Sequence, residues 1–184
     1  MAFLERRVVN KYTSAIVLAF GVTAVASAAD RALFNRVQPG AWANLQHEAT
    51  QSYDQKDFAR AFALNRRLAC AGDKTSQAIL GRMYILGEGT ARDEMSGYAW
   101  IRFAADFGFR DFTSLARKLE AALSSAQRTQ GNARADGLRA SYGPAVTNTS
   151  CFGEARHGVY IIDSIVCTPD SAGVSQVLLR RCVD

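Results

Sequence analysis

Residues 77–108 read QAILGRMYILGEGTARDEMSGYAWIRFAADFG, two helix-length apolar patterns on either side of a glycine-marked loop. In the first half Ile79, Leu80, Met83, Tyr84 and Leu86 recur at three- and four-residue steps, which sets them along one side of a helix. Met95, Tyr98, Ala99, Ile101 or Arg102, and Ala105 continue that period in the second half. Between them Gly87 and Gly89 supply positive-φ positions that stop the first helix, and Asp93 stands where it can cap the second. The stretch predicts a helical hairpin. Gly81 on one helix, and Gly97, Ala104 and Ala105 on the other, carry almost no bulk, so the backbones can close up while Tyr84 and Trp100 fill the remaining space. Such a hairpin cannot bury both apolar faces alone and is expected to stack on neighbours.

Leu80, Gly81, Tyr84, Gly87, Gly89, Asp93, Trp100, Ala104, Ala105 and Gly108 keep the mutual spacings of one Sel-one-like repeat, and the stretch resembles that family, a relative of the tetratricopeptide repeat. The resemblance implies an α-solenoid whose repeats serve as scaffolds for protein partners. In such stacks the first helix of each hairpin lines the concave side, which makes Gln46, Gln77, Arg82 and Tyr84 the candidates to face a partner protein or peptide. Tyr84 occupies a repeat packing position and is weighed first as core. Gly97 departs from the family pattern, where alanine is usual, and costs about 1 kcal/mol of helix propensity.

Upstream, Trp42, Leu45, Ala49 and Tyr53 lie three or four apart over residues 41–53, and Phe58, Ala61, Phe62, Leu64 and Leu68 do the same over residues 56–71. This is a second hairpin. Ala61, Leu64, Leu68, Ala69 and Gly72 precede Gly97, Trp100, Ala104, Ala105 and Gly108 by one constant interval, so the segment reads as the first repeat, with a shorter turn of tetratricopeptide type. Downstream, Phe112, Leu115, Ala116, Leu119 and Leu123 keep helical spacing. Ser124 to Gln127 can then start a last helix towards Tyr142 through a serine cap. That helix is polar, as the open end of a stacked array requires, and its mixed charges read as a solvated face.

The first residues read as an address. Arg6, Arg7 and Lys11 precede an apolar run from Ala15 to Ala26, and Ala26-Ser27-Ala28 offers the small residues of a cleavage site, so residues 1–28 are expected to be a signal peptide cut before Ala29. Removing them lowers the formal net charge from +5 by two, to a modest balance that gives no ground for nucleic acid as a partner. No membrane association is expected after cleavage. Residues 30–37 then read as a short helical turn before Pro39-Gly40.

After Tyr142-Gly143-Pro144 the character changes. Residues 147–150 read as a polar linker, and the β-branched runs 159–162, 165–166 and 174–179, with a turn signal at 169–173, predict a small antiparallel hairpin or three-stranded meander. The chain thus divides into a helical repeat domain at 29–142 and a β appendage at 143–184. Cys151, Cys167 and Cys182 lie in the appendage and Cys70 in the first repeat. Behind a signal peptide, an even cysteine count reads as two disulfides in the periplasm or in a secreted protein. With a hairpin turn near Ser171, Cys167 and Cys182 fall too far apart along the ladder to bond. Cys151 is then expected to pair with either Cys167 or Cys182, leaving the other for Cys70.

No motif supports chemistry. There is no nucleophile elbow, no zinc-binding His-Glu-x-x-His and no short Cys-x-x-Cys pair, and the two histidines, His47 and His157, stand apart. Asp54, Asp57, Asp93, Glu94, Asp163 and Asp170 lie near turns, where carboxylates ordinarily cap helices. The expectation is a mainly α protein, a short solenoid of two hairpins with capping helices and a disulfide-stabilised β appendage. It needs no cofactor, has no catalytic or metal-binding residues, and is a non-catalytic scaffold or adaptor. Two alternatives remain: a cell-envelope-binding or enzyme-inhibiting module acting through the appendage, and a redox or metal-dependent protein using the C-terminal cysteines.

Overall fold

The structure, a computed structural model, describes residues 34–155, 162–170 and 177–183. The expected signal peptide, His157 and the run 159–161 lie outside the described residues. A strand β1 (Phe34–Val37) leads into helices α1 (Pro39–Asp54), α2 (Phe58–Cys70), α3 (Lys74–Leu86) and α4 (Glu94–Ala104). A single 3-10 turn (Ala105–Phe107) precedes α5 (Arg110–Ala122), α6 (Ser125–Tyr142) and the short α7 (Pro144–Thr147). The chain ends in β2 (Thr149–Ala155), β3 (Ile162–Pro169) and β4 (Val177–Arg180).

Side-chain caps mark the starts of α2, α3, α4 and α6. Asp57 accepts from the Arg60 amide, Asp73 from Ser76, and Asp93 from Met95 and Ser96, so each offsets amides that the first turn leaves without partners. Ser124 and Gln127 form a reciprocal capping box at α6. Gly87 closes α3 in the left-handed conformation at φ 73°, and Gly89 turns the loop at the same angle.

The predicted hairpins are present, α1 on α2 and α3 on α4, and α2 lies against α3. A Cβ built on Gly81 would stand 2.7 Å from the Gly97 carbonyl oxygen, and one on Gly97 would stand 2.6 Å from that of Gly81. The second hairpin therefore closes to backbone contact. Phe62 of α2 meets Tyr84 of α3 edge-on at 5.2 Å, joining one hairpin to the other. The cluster there takes in Ala69, Cys70, Leu80, Trp100, Phe103 and Tyr142, with Trp100 stacked on Tyr142 of α6.

Both α5 and α6 pack on α4. Although α6 is polar, it buries a seam of Gly131, Ala135 and Tyr142. Tyr98 lies against the bare backbone of Gly131 and donates from its hydroxyl to Asn132 Oδ1 at 2.9 Å.

The strands differ from expectation in three places. Residues 34–37 are not helical: Arg36 is exposed between half-buried Asn35 and Val37, the two-residue alternation of a strand. They pair antiparallel with β4, Phe34 opposite Arg180 and Val37 opposite Val177. Consequently β4 does not continue a meander with β3; β2 and β3 form a separate antiparallel pair. Nor is 147–150 only a polar linker: α7 ends at Thr147 and β2 begins at Thr149, both buried between exposed Asn148 and Ser150, and Thr149 Oγ1 donates to the Ala71 carbonyl at 2.6 Å. A hydroxyl given a backbone acceptor can leave water at little cost.

The C-terminal strands share a core with the first hairpin. Trp42, Leu45, Ala49, Leu68 and Ala71 pack with Cys167 and Leu179, and Trp42 Nε1 donates to the Cys167 carbonyl at 2.7 Å. Cys151 bonds to Cys167 and Cys70 to Cys182, one of the two pairings left open by the sequence. The premise that excluded Cys167 with Cys182 was a 167–182 hairpin, which does not form; β1 takes that place beside β4.

Candidate functional site

The four residues assigned to the partner-facing side do not share one surface. Gln77 is fully buried; its amide nitrogen donates to the Ala69 carbonyl at 3.0 Å and its oxygen accepts from Lys74 Nζ at 3.1 Å. An amide with both ends engaged inside the stack offers nothing to a ligand, so Gln77 is a structural residue. Tyr84 turns towards Phe62 and joins the inter-hairpin cluster. Gln46 is half-buried and donates to Asp73 Oδ2 at 2.7 Å, linking α1 to the start of α3.

Arg82 alone of the four is exposed. Its guanidinium lies 5.9 Å from the centre of the Tyr53 ring, and the Tyr53 hydroxyl donates to Glu88 Oε2 at 2.7 Å. Burial, followed by the bond to Glu88, raises the Tyr53 hydroxyl above its ordinary pKa. A cation, a phenol and a carboxylate thus sit together where the end of α1 meets α3 and its loop. Tyr53 and Glu88 were not assigned to this surface from sequence. Tyr53 has the spacing of an apolar core position, and Glu88 stands between two glycines that read as loop.

Of the turn carboxylates, Asp57 and Asp93 cap helices, whereas Glu94 pairs with Arg92 and Asp54 is the last residue of α1. Hydrogen bonds from the Ser96 backbone and side chain hold the Asp93 carboxyl below its usual range, with Arg134 adding a weaker attraction. Asp73 is the opposite case. Burial raises its pKa, and the bonds from Ser76 and Gln46 counter that only in part. Asp170 accepts from Ser150 Oγ at 2.7 Å. His47 is exposed on α1, and no group of three or more potential metal ligands occurs among the described residues. With all four cysteines in disulfides, none presents a thiolate to a metal or an oxidant. Two disulfides are the mark of an extracytoplasmic protein. No helix among the described residues is long and apolar enough to cross a membrane.

No protein-family model matches the chain, and no curated protein matches it. Among solved structures it is similar to c5321, a protective antigen present in uropathogenic Escherichia coli strains and displaying an SLR fold, with a TM-score of 0.51 and 26% identity. The match covers 60% of this chain and 24% of that one, so the chain corresponds to only a fraction of the antigen's length. The likeness agrees with the repeat spacing at 80–108: the helical hairpins have the Sel-one-like repeat fold.

Proposed function

We propose that the chain is a non-catalytic interaction scaffold of the periplasm or the secreted fraction, binding a protein or peptide partner across the α1–α3 face. The observation that carries this reading is the Sel-one-like fold itself, a stack that presents helix surfaces to solvent. Arg82, Tyr53 and Glu88 supply the polar contacts. Arginine and tyrosine are residue types enriched at interface anchors, because each joins a large contact area to directed hydrogen bonding.

A photo-reactive amino acid at position 82, irradiated in the native envelope, tests the reading. A discrete adduct from position 82, absent from the exposed position 118 on α5, is the expected result. Adducts identical from both positions, or none, would count against it. Exposed Phe152 on β2 and Leu178 on β4 favour a second reading, in which the strands make the contact. An adduct from position 152 and none from 82 would select it.

A further inference from the structure

Lys74, the first residue of α3, is 5% exposed. Its ammonium group donates to Gln77 Oε1 at 3.1 Å and lies 4.2 Å from the centre of the Phe103 ring. Neither partner carries a negative charge, and an ammonium has three protons to place. Lys74 and Phe103 line a cavity of about 600 Å³ together with Asp106, Phe107, Arg139 and Pro144. That volume lies within the range of roughly 300–1,000 Å³ typical of small-molecule sites. The Asp106 carboxylate does not compensate the lysine directly, because Arg102 and Arg139 already bind it.

We propose that this cavity, between the start of α3, the end of α4 and α6, is a binding site for a small organic carboxylate with an apolar body. Lys74, held over the buried Phe103 ring, would meet the carboxylate, and Phe107 and Pro144 would take the body. Arg102, Arg139, Asp106 and Asp136 form a neutral ion-pair cluster, so Lys74 leaves the site with one net positive charge, which suits a monoanion better than a phosphate. A buried cation whose partners are all neutral is costly, and a carboxylate is the counter-charge that relieves it. The groups acting on the lysine agree with this arrangement. Burial brings its pKa down to about 8, Asp106 and Asp73 pull it up, and Arg139 pushes it down. A bound carboxylate would draw it back up.

The test is calorimetric titration of the full oxidised chain with phenylacetate, and in parallel with phenylacetamide. The expected result is saturable phenylacetate binding with a dissociation constant of about 1 mM or tighter, the amide binding at least tenfold more weakly. Lys74→Met, checked for native circular dichroism, should erase the preference for the acid. The unaltered chain gives a second readout. From about pH 8 upwards, affinity for the acid should fall towards tenfold per pH unit while affinity for the amide stays level. Equal binding of acid and amide, no saturation, or a preference retained in the lysine variant would overturn the proposal. A tripeptide ending in phenylalanine, with free or amidated C-terminus, separates the other source of the same chemistry. Binding of the free-ended peptide without binding of phenylacetate would also overturn it, in favour of a peptide terminus.

Discussion

Gly97 faces the Gly81 carbonyl oxygen so closely that a Cβ at position 97 would stand 2.6 Å from it, with Ile85 Cγ1 at 2.5 Å on the same side. Ile85 can rotate, but the α3 backbone cannot yield without opening the hairpin. The contact is reciprocal, a Cβ on Gly81 meeting Ile101 Cγ1 at 2.6 Å. Gly97→Ala should therefore destabilise the fold. Overpacking costs roughly 1–3 kcal/mol, against about 1 kcal/mol gained in helix propensity. Urea unfolding of the variant measures the net effect, and a variant more stable than the parent would show that the helices are not in contact there.

The two disulfides close loops of very different length. Cys70 and Cys182 are separated by 112 residues, and Cys151 and Cys167 by 16. If the bonds act by restricting the unfolded chain, replacing the first pair with alanine should cost about 2 kcal/mol more than replacing the second. Unfolding midpoints of the two double variants, each with its other bond oxidised, give the difference. Equal losses would mean that native packing around the bonds, rather than loop closure, carries their effect.

Trp42 ties the first hairpin to the strands through its bond to the Cys167 carbonyl. Trp42→Phe keeps an aromatic ring but removes the donor, leaving that carbonyl with Gln46 Nε2 at 3.4 Å. A loss of about 1–3 kcal/mol is expected for a buried acceptor deprived of its main partner. Chemical denaturation reads this directly, and a neutral substitution would argue that water reaches the carbonyl.

Burial lowers the Lys74 pKa from 10.5 to about 8. Between those values the unfolded chain holds a proton that the folded chain has released, so stability rises with pH across the window and is lost again as pH falls through about 8. Lys74→Met has no such proton. The unligated parent should gain on this variant by up to about 3 kcal/mol over the window. Paired denaturation curves at its two ends show this, and a constant difference would mean that the ammonium is hydrated in the folded chain.

The helical half was legible because its signals are local. Period, capping aspartates and the Gly87–Gly89 loop all act within a turn or two, and Asp93 and Ser124 cap where their positions implied. The strands were less legible because β1 finds its partner at β4, at the far end of the described chain. A four-residue segment does not announce such a partner, and Phe34-Asn35-Arg36-Val37 next to Pro39 read as easily as a helical turn. The same distance hid the surface. Gln77 has the composition of a ligand contact, but the Ala69 carbonyl and Lys74 that absorb it become neighbours only once α2 and α3 are packed. Lys74 gave no sign in sequence that it would be enclosed, since Phe103, Arg139, Pro144 and Cys167 reach it from distant parts of the chain.

Phe62 and Tyr84 belong to different hairpins and meet at 5.2 Å with an interplanar angle of 86°. A double-mutant cycle of Phe62→Leu and Tyr84→Leu, read by urea unfolding, tests most directly whether the two repeats stack as one body. The predicted coupling is about 0.5–1.5 kcal/mol in favour of the pair. A coupling indistinguishable from zero would contradict the stack and, with it, the shared surface on which the scaffold reading rests.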